Sequence, residues 1–231
     1  MSAIPSVSVV VPTLDEARAL PGLLRRLAWL PLREVIVVDG GSRDGTAGIA
    51  AAAGARVVRT GTAGRGPQLA RGAAEARGEV VWFLHADARP PLDAVARIRE
   101  ALAGDDVVGG AFLLHTVPGG GPWSLGPLLR VADLRSRWTG LPYGDQGIFC
   151  RREALDAVGG VPAQPLFEDL ELSRRLRARG RLARVPQEIE VSGRRFEARP
   201  LASFVAMHAL PVLYRLGVPP ARLARWYAPV R

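Results

Sequence analysis

The sequence has no lysine and no asparagine; all 31 of its Lys/Arg-type cations are arginine. Without lysine there is no Schiff-base chemistry and no P-loop lysine. The one cysteine, Cys150, excludes an internal disulfide and a cysteine-based zinc site. It follows Ile148-Phe149 and reads as a small buried hydrophobe in a reducing, cytoplasmic setting. The chain has no basic leader with an apolar core, and no unbroken apolar run long enough to span a bilayer. The expectation is a protein neither secreted by a visible signal nor crossing a membrane. Acids are in deficit, leaving a net charge of +9. Such a charge suggests nucleic acid or an anionic membrane. The arginines, however, are scattered without a block of five, as GC-rich codon usage would produce. No nucleic-acid partner is expected.

What is present is apolar and periodic. With 231 residues, 48% of them hydrophobic, the chain can bury a core as one domain. Residues 7–11, 34–38, 57–58 and 80–84 read as short strands. Between them lie helical patterns: one from about Glu16 with Leu20, Leu23, Leu24 and Leu27 as its stripe, one opened by Asp44-Gly45-Thr46, and one started by Pro67 and stopped by Gly78. A helix carrying Leu92, Val95, Ile98 and Leu102 follows. This βαβ series calls for a mostly parallel α/β sheet with helices on both faces. The second half is less regular. Strands are expected at 107–114, 147–150, 182–185 and 188–192, helices at 128–138 and 169–179, a glycine-rich loop at 115–127, and two helices at the end. Residues 1–110 would form a nucleotide-binding half, 111–200 an acceptor half and 201–231 the C-terminal helices.

Acids fall just past strands. The run Val80-Val81-Trp82-Phe83-Leu84-His85-Ala86-Asp87 ends a buried strand on a carboxylate, where such sheets place ligands. Asp87 suits a hard divalent cation beside a phosphate-bearing substrate, and equally suits helix capping. Glu16 and Asp39 fall on the same edge. Asp39-Gly40-Gly41-Ser42 lets backbone approach a ligand closely, whereas Asp44 reads as a turn cap. Gly64-Arg65-Gly66-Pro67-Gln68 is a glycine-rich loop before a helix; it can cradle phosphate or be a plain loop. Gly144-Asp145-Gln146-Gly147 and Glu168-Asp169 add carboxylates, the latter at a helix start where capping is the ordinary role.

Four motifs stand in one order: Pro12-Thr13-Leu14-Asp15-Glu16, Asp39-Gly40-Gly41-Ser42 with Asp44-Gly45-Thr46, His85-Ala86-Asp87, and Glu168-Asp169. In that order they resemble family 2 glycosyltransferases, whose fold is GT-A. Leu84-His85-Ala86-Asp87, Gly144-Asp145-Gln146-Gly147-Ile148-Phe149 and Gly193-Arg194-Arg195-Phe196 resemble a small bacterial subgroup, the rSAM/selenodomain-associated transferases. The resemblance implies an inverting transferase. Its donor would be a nucleoside diphosphate sugar, UDP-linked, and its acceptor a hydroxyl of a small molecule or lipid. With the loop readings it implies nucleotide contacts at Pro12, Thr13, Glu16, Asp39, Gly41, Arg65, Gln68, His85, Ala86, Asp87, Arg194 and Arg195. Asp87 would hold Mg²⁺ or Mn²⁺. Asp169 would be the general base with Glu168 beside it, and Asp145 and Gln146 would face the acceptor.

Two departures stand out. The family's metal motif has two acids flanking one residue, and here the first is His85. The family's C-terminal metal-binding His has only His208 as a counterpart, within an apolar helical pattern that reads as core or interface. Residues 201–217 are expected to pack outside the nucleotide site, kinked at Pro211, as a dimer contact, a peripheral membrane contact or a core helix. The rival readings are a nucleotidyltransferase acting on a sugar phosphate and a nucleic-acid-binding protein.

Overall fold

The structure is a computed structural model. It describes residues 4–61, 64–118, 130, 133–134, 137, 140–193 and 200–226. Most of the helix expected at 128–138, much of the 115–127 loop, and Arg194 and Arg195 lie outside the described residues; 130, 133, 134 and 137 are helical.

The first half alternates as its sequence pattern dictates. Strand β1 (Val7–Thr13) is followed by α1 (Leu20–Leu27), β2 (Glu34–Asp39), α2 (Thr46–Ala52), β3 (Arg56–Arg59), α3 (Arg65–Glu75), β4 (Val80–Phe83) and α4 (Ala94–Ala101). Then come β5 (Val107–Val117), a 3₁₀ turn (Gly144–Gln146), β6 (Phe149–Arg151), α5 (Arg152–Ala157), α6 (Glu168–Arg177) and β7 (Arg181–Ser192). The chain continues through α7 (Pro200–Arg215) and α8 (Pro220–Trp226).

Among the described residues the strands form one seven-stranded sheet in the order β3-β2-β1-β4-β6-β5-β7. Only β6 runs antiparallel to its neighbours. The carboxyl ends of β1, β2, β4, β5 and β7 therefore share one edge, and the turn entering β6 lies on that edge too. Val7, Val9 and Val11 of β1 alternate with Val10, as the two-residue strand period requires. The first set joins Leu20, Leu23 and Leu27 of α1, Ala50 of α2, and Val95 and Ile98 of α4 in one core. Val10 joins Leu69 and Ala73 of α3, Leu155 of α5, and Leu172 and Leu176 of α6 in the other. Helices thus cover both faces. Each fully buried leucine contributes about 1.5–3 kcal/mol through its lost water contact.

Several boundaries differ from expectation. The two strands read at 182–185 and 188–192 are one strand, with a register shift opposite Phe112 and Leu113. A bulge absorbs Pro186, which cannot donate to the ladder. Helix α1 begins at Leu20 rather than Glu16. The preceding residues turn instead, with Asp15 at a φ of 55°. Leu92 is exposed ahead of α4, not part of its buried stripe.

Candidate functional site

Two loops at the carboxyl edge are latched to each other. The Asp15 N–H donates to Ser42 Oγ at 2.9 Å, and the Glu16 N–H to Thr46 Oγ1 at 2.9 Å. The Ala17 N–H donates to Asp44 Oδ2 at 2.9 Å, and the Arg43 N–H to Asp15 Oδ1 at 2.8 Å. Asp44 is the cap expected of it, and the Thr46 hydroxyl leads the contacts that hold its carboxyl below the ordinary value. Asp39, nearly fully buried, accepts from the Gly41 and Ser42 N–H groups and the Ser42 hydroxyl. Gln68 reaches back from α3, its amide donating to the Thr13 carbonyl at 2.8 Å and the Val38 carbonyl at 2.7 Å. It thereby spans the ends of β1 and β2.

A cleft of about 480 Å³ opens on this edge. Pro12, Thr13, Glu16, Arg65, Gln68, His85, Ala86, Asp87, Asp145 and Asp169 all line it. Ten of the side chains picked from the sequence therefore converge on one space. Asp39, Gly41, Gln146 and Glu168 are not part of its lining. Gln146 holds the loop that carries Asp145. Its amide oxygen accepts from the Tyr143 N–H at 3.0 Å and its nitrogen donates to the Phe112 carbonyl at 3.0 Å. Trp82 secures the same loop from the core by donating to the Gly147 carbonyl at 3.1 Å.

Arg65 organises the α6 side of the cleft. Standing in the first turn of α3, it crosses the cleft to α6. Its Nε donates to Glu168, and a terminal nitrogen donates to Asp169 Oδ2 at 3.1 Å. Its other terminal nitrogen lies 3.4 Å from His85 Nε2. Burial works against the Arg65 charge, but Glu168 and Asp169 outweigh it and hold its pKa above the ordinary value. Glu168, with only 1% of its surface exposed, is pushed up by burial, while Arg65 pulls it down and Asp169 adds to the rise. Burial, then the Arg65 charge, press the His85 pKa down, against the pull of Asp87, Asp145 and Asp169. His85 is therefore a neutral imidazole at neutral pH.

Asp169 also accepts the Gly144 N–H at 2.7 Å and the Leu170 N–H at 2.7 Å. Gly144, absent from the sequence-based site, matters because it is glycine. A Cβ there would lie 2.9 Å from Asp169 Oδ2 and 3.2 Å from His85 Nε2. Its signal was its place one residue before Asp145. Phe167, just before α6, adopts a left-handed backbone with φ 61° and stacks on Tyr214 of α7 at 5.2 Å. Ser203, Ala206, Met207, Leu210 and Pro211 of α7 line the same cleft. The segment 201–217, expected to pack outside the nucleotide site, thus contributes a wall of the shared cleft. The helix closes one wall, anchored by Leu210 against a third core that includes Tyr143, Phe167 and Leu170. His208 is not part of the lining.

Among the described residues, no group of three or more His, Cys, Asp or Glu side chains is placed to hold a metal on its own. The cleft still fits a hard divalent cation of the kind held by one or two carboxylates plus substrate phosphate oxygens. Asp87 offers such a carboxylate within the lining, where Asp145 and Asp169 also lie.

Fold and cleft together define a GT-A transferase. The chain belongs to glycosyl transferase family 2, whose model matches residues 8–159. It is 33% identical over 168 residues to an undecaprenyl-phosphate 4-deoxy-4-formamido-L-arabinose transferase from Pseudomonas fluorescens, a match covering 66% of this chain and 49% of that protein. The Pseudomonas aeruginosa counterpart is 34% identical over 158 residues, covering 63% and 46%. The chain thus spans about half the length of the curated relatives it matches. Among solved structures, a Pyrobaculum calidifontis mannosyltransferase in complex with GDP-Man and Mn²⁺ superposes with a TM-score of 0.71 at 22% identity, covering 98% of this chain and 70% of that one. A Mycobacterium tuberculosis glucosyl-3-phosphoglycerate synthase with Mn²⁺, UDP and glucosyl-3-phosphoglycerate gives a TM-score of 0.62 at 22% identity, covering 93% and 81%. These two likenesses establish the shared fold.

Proposed function

We propose that the chain transfers a sugar from a nucleoside diphosphate sugar, UDP-linked, to a hydroxyl of a lipid or small-molecule acceptor, with inversion at the anomeric carbon. The observation that carries this reading is the presence of Asp87 and Asp169 in the lining of one cleft. One carboxylate suits the donor's diphosphate, the other the acceptor's proton. A lipid acceptor is supported by the lipid phosphate that the Pseudomonas relatives' name carries, whose nucleophile is a phosphate oxygen rather than a hydroxyl, and by the apolar wall of Ala206, Met207 and Leu210.

In this reading the nucleoside lies against Pro12, Thr13 and Glu16. Gln68 and Asp39 keep the strand ends in place beneath it, and Arg194 and Arg195 clamp the diphosphate. Asp87 would hold Mg²⁺ or Mn²⁺, which offsets the charge that grows on the leaving diphosphate. Asp169 takes the acceptor proton as general base. Its carboxylate accepts from three donors: Arg65, the Gly144 N–H and the Leu170 N–H. The donor diphosphate competes for Arg65, and as Arg65 turns toward phosphate, Asp169 Oδ2 is released to face the acceptor hydroxyl. Glu168 positions Arg65 and Asp145 faces the acceptor. The protein works in the cytoplasm, at a membrane when its acceptor is a lipid.

The rival nucleotidyltransferase would release pyrophosphate rather than a nucleoside diphosphate. Incubation with nucleotide sugars, Mn²⁺ and added pyrophosphate separates the two: UDP release supports sugar transfer, and consumption of pyrophosphate to give UTP and a sugar 1-phosphate overturns it. A thermal-shift screen of UDP- and GDP-sugars then identifies the donor, because a bound ligand raises apparent stability.

A further inference from the structure

Helix α7 is apolar on two opposite faces. One face lines the cleft through Ser203, Met207 and Leu210 and stacks Tyr214 on Phe167. The other carries Val205, Ala209, Val212 and Leu216, spaced by four, three and four residues, which is one continuous stripe on a helix. Leu216 belongs to it because its N–H still donates to the Val212 carbonyl at 3.0 Å. Val205, Val212 and Leu216 are 59%, 52% and 76% exposed, and Trp226 at the end of α8 is 57% exposed. Four large apolar side chains on one short helical pair face water.

The charges of this C-terminal segment have one sign. Residues 198–231 contain five arginines and no aspartate or glutamate. Arg215, Arg222 and Arg225 are exposed, and the Arg222 guanidinium lies over the Trp226 ring at 5.9 Å. Among the described residues no helix is long and apolar enough to cross a membrane. An apolar stripe rimmed by arginine, with an aromatic at its end, is the pattern of a helix lying in the headgroup layer. A second copy of the chain is a poor occupant, since pairing this face with itself sets arginine against arginine with no acid between them.

We propose that the outer face of α7, with α8, docks on an anionic lipid membrane. Its purpose rests on the lipid-acceptor reading above; its existence rests on these residues alone. Because the opposite face of α7 lines the cleft, docking sets the apolar cleft wall beside the bilayer. A lipid-linked acceptor then reaches Asp169 without leaving the membrane fully.

The test is co-sedimentation of the full chain with phosphatidylcholine vesicles, with and without phosphatidylglycerol. The expected result is pelleting with phosphatidylglycerol vesicles that weakens as salt rises, and little pelleting with phosphatidylcholine alone. Arg222→Gln/Arg225→Gln should cut partition by about 25-fold, at roughly fivefold per arginine near an anionic surface. Val212→Glu/Leu216→Glu should abolish it, while UDP affinity by calorimetry stays unchanged, showing an intact fold. Failure of the unmodified chain to pellet with anionic vesicles at low salt overturns the proposal. So does a Val212→Glu/Leu216→Glu variant that turns a dimer into a monomer in light scattering with vesicle partition unaltered, which assigns the face to a second copy. Vesicle binding that follows the variants, in a chain that turns over no nucleotide sugar, supports the surface and sinks the transfer reading instead.

Discussion

The two sides of the cleft are built differently. On the β1–β2 side, Asp39 bonds residues two and three positions on, Asp44 caps Thr46, and the latch between the two loops spans only 27–30 positions. On the α6 side, Arg65 bonds residues 103 and 104 positions away, and Phe167 stacks on a residue of α7. The first side is set by turn chemistry within two neighbouring motifs and by the short-range latch between them. The second depends on distant elements arriving together. Substitutions on the first side should therefore act on stability and donor affinity, and substitutions on the second on turnover.

The sharpest test of that division is Asp169→Asn, which keeps shape and removes the base. Turnover should fall by about 10²-fold or more with donor affinity nearly unchanged. Turnover close to the unmodified protein would move the base to Asp145, or show an acceptor whose nucleophile is already ionised. Asp87→Ala should behave the opposite way: folding normally, it should lose the Mn²⁺-dependent part of UDP affinity in calorimetry. Equal affinity with and without metal would break the assignment.

Gly144→Ala sits between these. The added Cβ would stand 2.9 Å from Asp169 Oδ2, so the loop or the carboxylate must shift. We expect turnover lower by about tenfold, since a displacement near 1 Å at a catalytic group costs one to two orders of magnitude. The melting temperature should change little. A variant that loses stability but not turnover would mean that Gly144 serves folding rather than the site.

A smaller effect concerns Glu171, which joins α6 to α7. It accepts from Arg174 and Arg175 at 2.8 Å and from the Tyr214 hydroxyl at 3.3 Å. Hydrogen bonds from Arg174, then Arg175, bring its carboxyl down to about 2 against the burial that opposes them. A carboxyl depressed on folding stabilises above its unfolded value of 4.5 and loses that contribution as pH falls toward 2. Denaturant titrations between those values should show the unmodified protein losing stability, and Glu171→Gln losing about 1–2 kcal/mol less over the same range. Parallel curves would exclude Glu171 as a contributor.

The smallest effect tests the local side. Thr46→Val keeps shape but removes the acceptor for the Glu16 N–H. It should lower stability by about 1 kcal/mol and leave turnover within about twofold. A large loss of turnover would show that the latch also governs the chemistry.

Much was legible from residue pattern alone. Alternation in β1 and the leucine spacing of α1 reflect strand and helix periods, so they foretell which side chains enter the core whatever the rest of the chain does. Acids a few residues past an apolar strand fall on the ligand-bearing edge of a parallel sheet, and Glu16 and Asp87 do line the cleft there. Pattern could not say which acids would be engaged by their own turns, as Asp39 is, because that depends on backbone angles of single residues. Nor could it say that Arg65 would pair with Glu168 and Asp169, or that α7 would wall the cleft. An apolar stripe records that a helix must be covered, not by what. Only packing chose the partner, since burying Leu210 and Tyr214 against Phe167 and Leu170 required elements about 40 residues apart to meet.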